Sequence, residues 1–408
     1  MEDNNILIMD KESKEFLYKY LDTLNLHDCK VYFTLASNPC DSHLGVIAKA
    51  EIECKNAKFH WILKTAIQNE EYRLLLPISS IYYREIYAYE KILVEFARIQ
   101  EEKQIQHPFK SYAKYLTSSF IPPNESIIME DMTQWGYQIE DREQPLDYNH
   151  VKLVMREYGR FHALSFALRD QKPMLFEEIS KNVKEIIFNY PAYLKGFMAN
   201  VISTQIDRVM NALDPVQHHS AYQKCLKFKM HAIESIRSSV QASVAGNYGV
   251  VCHGDCWTNN ILFKHSDLTE TKNPSELCFI DWQLAQLGSP VLDLTTFLFL
   301  STNKEFRDIY YDDVIQEYYN SFSAFLKELG SDPEELFPFS VLQEHLKTFS
   351  VFAFFRVIQA LHLLLSDNEN IPDFKDTDFN DLEFKENETY NTRMREIMLD
   401  FDRLGYEL

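Results

Sequence analysis

The chain is poor in positive charge. Its 408 residues include 41 Lys and Arg against 61 Asp and Glu, which gives a formal net charge of −20. Nucleic acids and anionic membrane surfaces bind proteins through clustered basic side chains. We therefore expect no nucleic-acid partner and no membrane partner, although a few local cations would still suffice to bind a small anion.

Long apolar runs are also missing. The N-terminal stretch MEDNNILIMDKESKEF contains no apolar region of the kind that a secretion signal requires. The longest apolar stretch, residues 349–365, is interrupted by Arg356, Gln359 and His362. This pattern predicts a buried amphipathic helix and not a membrane span.

Cysteines are few and follow no pairing pattern. An odd number of scattered cysteines in a chain without a signal region indicates reduced thiols and a cytoplasmic location. Cys252 and Cys256 flank His253, but no second ligand cluster accompanies them, so a zinc site is not predicted there. The seven cysteines are Cys29, Cys40, Cys54, Cys225, Cys252, Cys256 and Cys278.

The remaining composition is that of a globular protein, with 46% hydrophobic residues. A chain of this length is long for one core, which favours two lobes. The part of the chain before Asp147 is predicted to form a small sheet with helices, and the part after it to be mainly helical. Strands are predicted over 46–54, 59–65 and 126–130, and helices over 81–100, 178–212, 218–244, 291–302, 312–329 and 339–366.

One stretch carries residues of a recognisable chemistry. Residues 250–263 read VVCHGDCWTNNILF, and LCFIDWQ follows at 277–283. They place His253, Asp255 and Asn260 in the order H-x-D-x-x-x-x-N, with Asp281 after a short apolar strand. This is the spacing of a kinase catalytic loop followed by its metal-binding aspartate.

Each of these residues has a predicted role in phosphoryl transfer. Asp255 is the expected catalytic base, which accepts the proton of the acceptor hydroxyl. Asn260, which alone keeps the four-residue gap, and Asp281 are expected to hold Mg²⁺ on the phosphates of ATP. His253 is expected to orient the loop. Any one of them alone is better explained as a turn former, but the ordered set with its flanking strands favours a phosphotransferase.

The segments HGDCWTNN, IDWQ and PVLDL resemble the ecdysteroid-kinase-like family of insects. That family is grouped with the aminoglycoside phosphotransferases and choline kinases among protein-kinase-like enzymes. The resemblance covers nearly the whole chain and is most specific over 252–294. It implies an α+β, bilobal, protein-kinase-like fold, with a β-rich nucleotide-binding N-lobe (1–132) and a mainly helical C-lobe (133–408) that carries the catalytic loop and the acceptor pocket.

The same resemblance assigns the nucleotide-binding residues. It places the phosphate-binding lysine at Lys64 and its carboxylate partner at Glu85. The interlobe connection that would bind adenine is Glu130, Asp131 and Met132.

The resemblance also bears on the phosphate loop and on two structural positions. The loop at 38–46 has one glycine, Gly45, where kinases often use several, so Ser42 or neighbouring main chain is expected to contact the phosphates. Asp293 is expected to hold the catalytic loop or to cap a helix. His162 is expected to be a packed, interhelical histidine.

These features together predict an ATP- and Mg²⁺-dependent kinase for a hydroxyl of an ecdysteroid or a similar apolar alcohol. Helices within 170–244 and 312–366 are rich in Phe and Tyr and are expected to form the acceptor pocket. Two alternatives stay open. One is a pseudokinase that binds a ligand or a protein partner, and the other is a choline- or aminoglycoside-type kinase with a cationic acceptor.

Overall fold

A computed structural model of the protein describes residues 9–36, 44–190, 193, 197–266, 273–364 and 388–408. Ser42, the expected phosphate contact, lies outside these residues, as does most of the loop around it.

The N-terminal region contains one antiparallel sheet. Its strands are β1 (Lys30–Leu35), β2 (Gly45–Cys54), β3 (Ala57–Ala66), β4 (Tyr115–Ser119) and β5 (Ser126–Glu130). They lie in the order β1-β2-β3-β5-β4. Burial alternates along β2, where Ala48, Ala50 and Ile52 face a small apolar core, as the period of two in a strand requires. The expected strands over 46–54, 59–65 and 126–130 are confirmed.

Helices cover this sheet on both sides. They are α1 (Lys11–Thr23), α2 (Glu70–Leu75), α3 (Ile78–Tyr87), a π-helical turn (Ala88–Ile92) and α4 (Leu93–Glu102). Leu17 and Leu21 of α1 pack into the core beneath β2. The segment α3 to α4 is the helix expected over 81–100, and its π-turn lies directly after Tyr87.

The expectation that every cysteine is reduced is wrong for one pair. Cys29 and Cys54 form a disulfide. The reason is strand register: Lys30 faces Glu53 across β1 and β2, so the residues one step further out are also neighbours. Cys225, Cys252, Cys256 and Cys278 are free and buried. The number and spacing of cysteines cannot reveal such a pair, because the pairing depends on how two strands align.

The described part of the C-terminal region contains five short strands. They are β6 (Tyr137–Ile139), β7 (Val250–Cys252), β8 (Ile261–His265), β9 (Pro274–Phe279) and β10 (Gln286–Gly288). β6, β8 and β9 form a three-stranded sheet with β8 in the middle, and β7 pairs with β10. The loops between β7 and β10 contain all the residues of the expected catalytic motif.

Eleven helices make up the rest of the C-terminal region that the structure describes. They are α5 (Tyr148–Gln171), α6 (Pro173–Asn182), α7 (Phe197–Asn211), α8 (His219–Ser239), α9 (Ala242–Ala245), α10 (Val291–Ser301), α11 (Lys304–Glu328), α12 (Pro333–Leu336), α13 (Phe339–Phe349), α14 (Val351–Leu364) and α15 (Glu388–Arg403). The axes of α5 and α11 approach closely at Gly159, where a Cβ atom would lie 2.6 Å from the carbonyl oxygen of Tyr318. Helix α10 is buried on every side and forms the centre of the core.

Three of the expected helices are interrupted. The helix expected over 218–244 is divided at Val240 and Gln241 into α8 and α9. The helix expected over 178–212 ends at Asn182, because Glu185 turns the chain by accepting hydrogen bonds from the backbone amides of Phe188 (2.8 Å) and Asn189 (3.0 Å). The helix expected over 339–366 is divided at Ser350 into α13 and α14. Helix α15 carries no motif that the sequence reading recognised.

The architecture is therefore α+β, with a β-rich N-terminal lobe and a mainly helical C-terminal lobe, as expected. Arg84 of α3 joins the two regions: its guanidinium donates to the carbonyl oxygens of Ala285 and of Lys184, the latter at 2.6 Å. None of the helices in the described residues is both long enough and apolar enough to cross a membrane.

Candidate active site

One buried carboxylate, that of Asp293, holds the backbone of the catalytic loop in place. Asp293, in the first turn of α10, accepts hydrogen bonds from the amides of His253 (2.7 Å) and Gly254 (2.9 Å). His162 lies 3.2 Å from the same carboxylate and 3.1 Å from the hydroxyl of Tyr318. Asp293 thus holds the loop through two hydrogen bonds, and His162 is a packed side chain between helices.

His253 connects the loop to the strand that precedes Asp281. Its Nε2 donates to the carbonyl oxygen of Ile280 at 2.9 Å, and burial lowers the pKa of the imidazole. A neutral ring with its proton on Nε2 fits this contact. The next residue, Gly254, has φ +83°, and a Cβ atom there would meet the carbonyl oxygen of Leu284 at 2.0 Å. Only glycine therefore allows the loop to turn at this point.

Asn260 ends the loop in a fixed orientation. Its Nδ2 donates to the carbonyl oxygen of Asp255 at 2.6 Å, which leaves the amide oxygen available as a ligand atom. The backbone oxygen of Asn260 accepts from the amide of Ile280 at 3.0 Å. Asp281 follows with φ +68°, a left-handed conformation that Asp adopts more readily than most residues. The hairpin thus brings Asp255, Asn260 and Asp281 to one place.

Lys64 of β3 extends across to this place from the N-terminal sheet. Its ammonium donates to Glu85 of α3 at 2.6 Å, to Asp281, and to the side-chain oxygen of Gln283 at 3.4 Å. Burial alone would lower the pKa of the Lys64 ammonium, but the charges of Asp281 and Glu85 outweigh it and raise the pKa. Lys64 is therefore a cation held between two carboxylates of opposite lobes.

Glu85 is the most buried member of this cluster. Burial raises the pKa of its carboxyl to about 7, against the opposing charge of Lys64. The direction reflects the cost of holding a carboxylate away from water. Asp281 is less enclosed, since 22% of its side chain is exposed, so it is the carboxylate of this cluster that can accept a further partner from the cleft.

Asp255 has a partner that the sequence reading missed. Arg356 of α14 donates to its carboxylate, and the two side chains are only 19% and 13% exposed. Burial raises the pKa of Asp255 to about 6, while Arg356 acts to lower it and Asp281 to raise it. The pair lies 101 positions apart in sequence. No local pattern could connect them, because α14 comes close to the loop only in the folded chain.

The expected adenine-binding residues lie at the end of β5. The amide of Glu130 donates to the carbonyl oxygen of Lys114 (2.9 Å) and the amide of Asp131 to that of His60 (3.0 Å). The carboxylate of Asp131 caps the next turn by accepting from the amide of Thr133 at 2.9 Å. The amides of Glu130 and Asp131 are thus occupied, so a backbone donor to adenine would have to come from Met132.

The donor set of the cleft fits a hard divalent cation. The amide oxygen of Asn260 and the carboxylate of Asp281 lie at neighbouring backbone positions, because the amide of Ile280 donates to the backbone oxygen of Asn260 at 3.0 Å. Mg²⁺ prefers such oxygen ligands and completes its shell with water and substrate phosphates. Lys64, held by Glu85, provides the neighbouring positive charge that phosphates require. The residues present therefore suit Mg²⁺ and a nucleotide.

Aromatic side chains pack together around α14, the helix that carries Arg356. The ring of Phe188 lies 5.1 Å from that of Phe355 and 6.1 Å from that of Tyr193. The hydroxyl of Tyr193 accepts from the side-chain amide of Gln359 at 3.2 Å. Phe355 and Gln359 belong to the same helix as Arg356. These rings belong to the two regions, 170–244 and 312–366, in which an acceptor pocket was expected, but Phe188 and Phe355 are buried in the core, so the pocket stays a prediction.

Comparison with known proteins identifies a family that most of the chain matches. Residues 39–331, well over half of the chain, match the ecdysteroid kinase-like family. No protein with a curated description matches the chain. Among solved structures, the GDP complex of a mutant aminoglycoside 2'-phosphotransferase IIIa aligns over 95% of this chain and 97% of its own, with 12% identity and a TM-score of 0.41.

Proposed function

The chain belongs to the ecdysteroid kinase-like family, and from this membership and the geometry of the cleft we propose that it is an ATP- and Mg²⁺-dependent kinase for a small alcohol. One observation carries the proposal. Lys64, Glu85 and Asp281 form a continuous ion cluster across the two lobes, and Asp281 of this cluster lies on the same hairpin as Asp255 and Asn260. Phosphoryl transfer requires these groups together and little else from a protein.

In the proposed reaction each residue has one task. Lys64 binds the phosphates of ATP, with Glu85 holding its ammonium in place. Asn260 and Asp281 hold Mg²⁺, which neutralises the negative charge that develops on the transferred group. Residues 1–132 would bind the nucleotide, with adenine at Glu130 to Met132 and with Ser42 as a candidate phosphate contact. Residues 133–408 would carry the catalytic loop and the acceptor pocket.

Asp255 would act on the acceptor. A bond forms between the acceptor oxygen and the γ-phosphorus, the bond between that phosphorus and the bridging oxygen breaks, and ADP leaves. The hydroxyl proton passes to the carboxylate of Asp255. Arg356 holds that carboxylate in the structure, so the acceptor hydroxyl must share it or displace the guanidinium.

The rate should therefore depend on pH through Asp255. Because only the ionised carboxylate accepts a proton, and its pKa is raised to about 6, we expect kcat/KM to rise with pH up to about 6 and then to level off. Arg356 lowers this pKa, so Arg356→Gln should move the acid limb to higher pH. Arg156→Gln, at an exposed position on α5, is the matched control.

The effect of Arg356→Gln also distinguishes Asp255 from Glu85. The raised pKa of Glu85 would give an acid limb of the kcat/KM profile in the same pH range. Arg356 contacts Asp255 and not the Lys64–Glu85 pair. An acid limb that stays in place in Arg356→Gln would therefore assign it to another group.

The charge beside the base favours a neutral acceptor. The guanidinium of Arg356 donates to the carboxylate of Asp255. Its buried Nε has no hydrogen-bond partner within the described residues. A cationic amine at this position would be repelled, whereas a hydroxyl or carbonyl oxygen could accept from that Nε. Tyr193 is the half-buried ring of the aromatic group with Phe188 and Phe355, and its face would suit contact with an apolar ring system. We therefore favour an ecdysteroid or a similar apolar alcohol over choline or an aminoglycoside.

A pseudokinase is disfavoured by the complete set of reactive groups. Binding alone would not require Lys64, Asp255, Asn260 and Asp281 to be retained together at one cleft. A protein that only bound a ligand could lose any of them without losing the fold.

A phosphorylation screen tests the proposal. The protein would be incubated with labelled ATP, Mg²⁺ and panels of ecdysteroids, other sterols, plant glycosides and aminoglycosides, with products identified by mass spectrometry. We expect transfer to a neutral, largely apolar alcohol. Transfer only to cationic acceptors would overturn the acceptor assignment and leave the kinase assignment intact. A lack of Mg²⁺-dependent ATP binding would contradict the kinase assignment itself.

A further inference from the structure

Three side chains meet outside the cleft, at the opposite end of β8 from Asn260. Glu140 directly follows β6, His150 lies in the first turn of α5, and His265 is the last residue of β8. Both histidines are buried, and Glu140 is half-buried. Neither the motif reading nor the proposed reaction gives these residues a role.

Their ligand atoms have the spacing of a metal site. The Nε2 atoms of His150 and His265 are 3.2 Å apart. The Oε1 atom of Glu140 lies 3.8 Å from the first and 3.7 Å from the second. A triangle with these three edges has a circumradius of about 2.1 Å, which equals the usual Zn–N and Zn–O bond lengths. One ion can therefore lie within bonding distance of all three atoms.

The protonation states of these residues also favour a bound cation. Nδ1 of His150 lies 2.8 Å from the carboxylate of Asp147, which can only accept, so Nδ1 carries the hydrogen. The Nε2 lone pair of a neutral His150 then faces the other two residues. Oε1 of Glu140 is buried and has no hydrogen-bond partner among the described residues. A buried acceptor left without a donor is costly, and a cation would satisfy it.

Asp147 also supports His150 in the way that metal-binding histidines are usually supported. A ligating histidine almost always donates its other ring nitrogen to a carboxylate or a carbonyl, which fixes the ring and its tautomer. The contact here has that form. For His265, the side-chain amide of Gln138 lies 3.5 Å from Nδ1, and its oxygen can accept from that nitrogen when the amide is rotated.

From this geometry we propose that Glu140, His150 and His265 bind a divalent transition metal of the zinc class, with water as the fourth ligand. Imidazole ligands select zinc and its neighbours over Mg²⁺, which prefers oxygen. The site is thus chemically distinct from the cleft. The ion would join β6, α5 and β8, and so stabilise the hairpin that begins at Asn260. This inference does not depend on the proposed kinase activity.

The test uses the full chain after removal of metals with a chelator. It is titrated with Zn²⁺ in millimolar Mg²⁺, which occupies oxygen-ligand sites, and the stoichiometry and affinity are measured by calorimetry. We expect one Zn²⁺ per chain and a higher melting temperature on binding. Co²⁺ should replace Zn²⁺ and give the intense visible absorption of a four-coordinate ion.

Conservative variants identify the ligands. His265→Gln and Glu140→Gln should each weaken Zn²⁺ binding by at least about 10-fold, since even outer-shell changes cost this much. Glu143→Gln, three residues from Glu140, and His231→Gln on α8 are exposed matched controls and should bind normally. The melting temperature without metal shows that each variant is folded.

Three results would overturn the site. They are the absence of stoichiometric Zn²⁺ binding in Mg²⁺, binding that persists in both His265→Gln and Glu140→Gln, and Co²⁺ spectra of a six-coordinate ion. Failure of the phosphorylation screen would not affect any of these measurements, and Zn²⁺ bound in the cleft would be retained in both variants.

Discussion

Replacing Asp281 with Ala should lower ATP-dependent turnover by about 10³-fold or more while the protein remains folded. The structure gives two reasons for a large effect. Asp281 is the proposed carboxylate ligand of Mg²⁺, and it also pairs with Lys64 across the lobes. Removing it takes away the metal and the partner that draws Lys64 towards the phosphates, so binding and chemistry are both affected.

The fold should tolerate this change. Asp281 is 22% exposed, and Lys64 keeps its 2.6 Å contact with Glu85. No buried cation is therefore left alone. The measurements are single-turnover phosphorylation of the acceptor found in the screen, calorimetric binding of Mg·ATP, and the melting temperature.

Glu276→Ala is the matched control for Asp281→Ala. Glu276 is an exposed carboxylate of β9, on the same hairpin, paired with Lys264 at 2.9 Å. Exposed ion pairs contribute little to stability, so this variant should retain full activity. If Asp281→Ala kept more than about a tenth of the normal turnover, the metal-ligand role would have to be given to another residue.

The strands of the fold and the proposed centre of the site could be predicted from the sequence because both depend on local patterns. Alternation identifies β2 and β3, and the spacing of His253, Asp255 and Asn260 is itself the form of the loop. The pairing of Lys64 with Glu85 is also confirmed, at 2.6 Å. A strand lysine followed by a helix glutamate is an order that the chain itself displays.

The other features depend on contacts between distant segments. Arg356 reaches Asp255 from a helix 101 positions later, and its apolar neighbours indicate only burial. The metal-type cluster joins residues separated by up to 125 positions in the chain, from Glu140 to His265, with no spacing that a motif could capture. The Cys29–Cys54 bond follows from strand register. Sequence periodicity describes one element at a time, and these contacts require the arrangement of several.

The contact between Arg356 and Asp255 changes what the loop is expected to do. A buried base without a partner would have a pKa raised still further and would be protonated over much of the neutral range. Arg356 opposes that rise. In the proposed reaction Arg356 would thus help to keep Asp255 ionised at neutral pH and would occupy the carboxylate until the acceptor binds. If Asp255 is the base, as we propose, acceptor binding and activation of the base would be coupled at Arg356.

Asp255→Asn is the variant that isolates this base. The amide has nearly the same shape and can still accept a hydrogen bond from Arg356, but it cannot take a proton. We expect kcat to fall by about 10²- to 10⁴-fold, the usual contribution of general base catalysis, with the affinity for Mg·ATP unchanged. The rise of kcat/KM with pH up to about 6 should also disappear.

Asn259→Ala provides the control for this last prediction. Asn259 lies in the same loop, next to Asn260, but outside the spacing of the motif, so its loss should leave kcat and the pH profile nearly normal. A structural disturbance of the loop would affect both variants, whereas loss of the base affects only Asp255→Asn. Because a disturbed loop would also misplace Asn260, unchanged Mg·ATP binding in Asp255→Asn separates the two causes again. A near-normal rate for Asp255→Asn on a genuine acceptor would show that the acceptor proton leaves by another route and that Asp255 serves only to position Arg356.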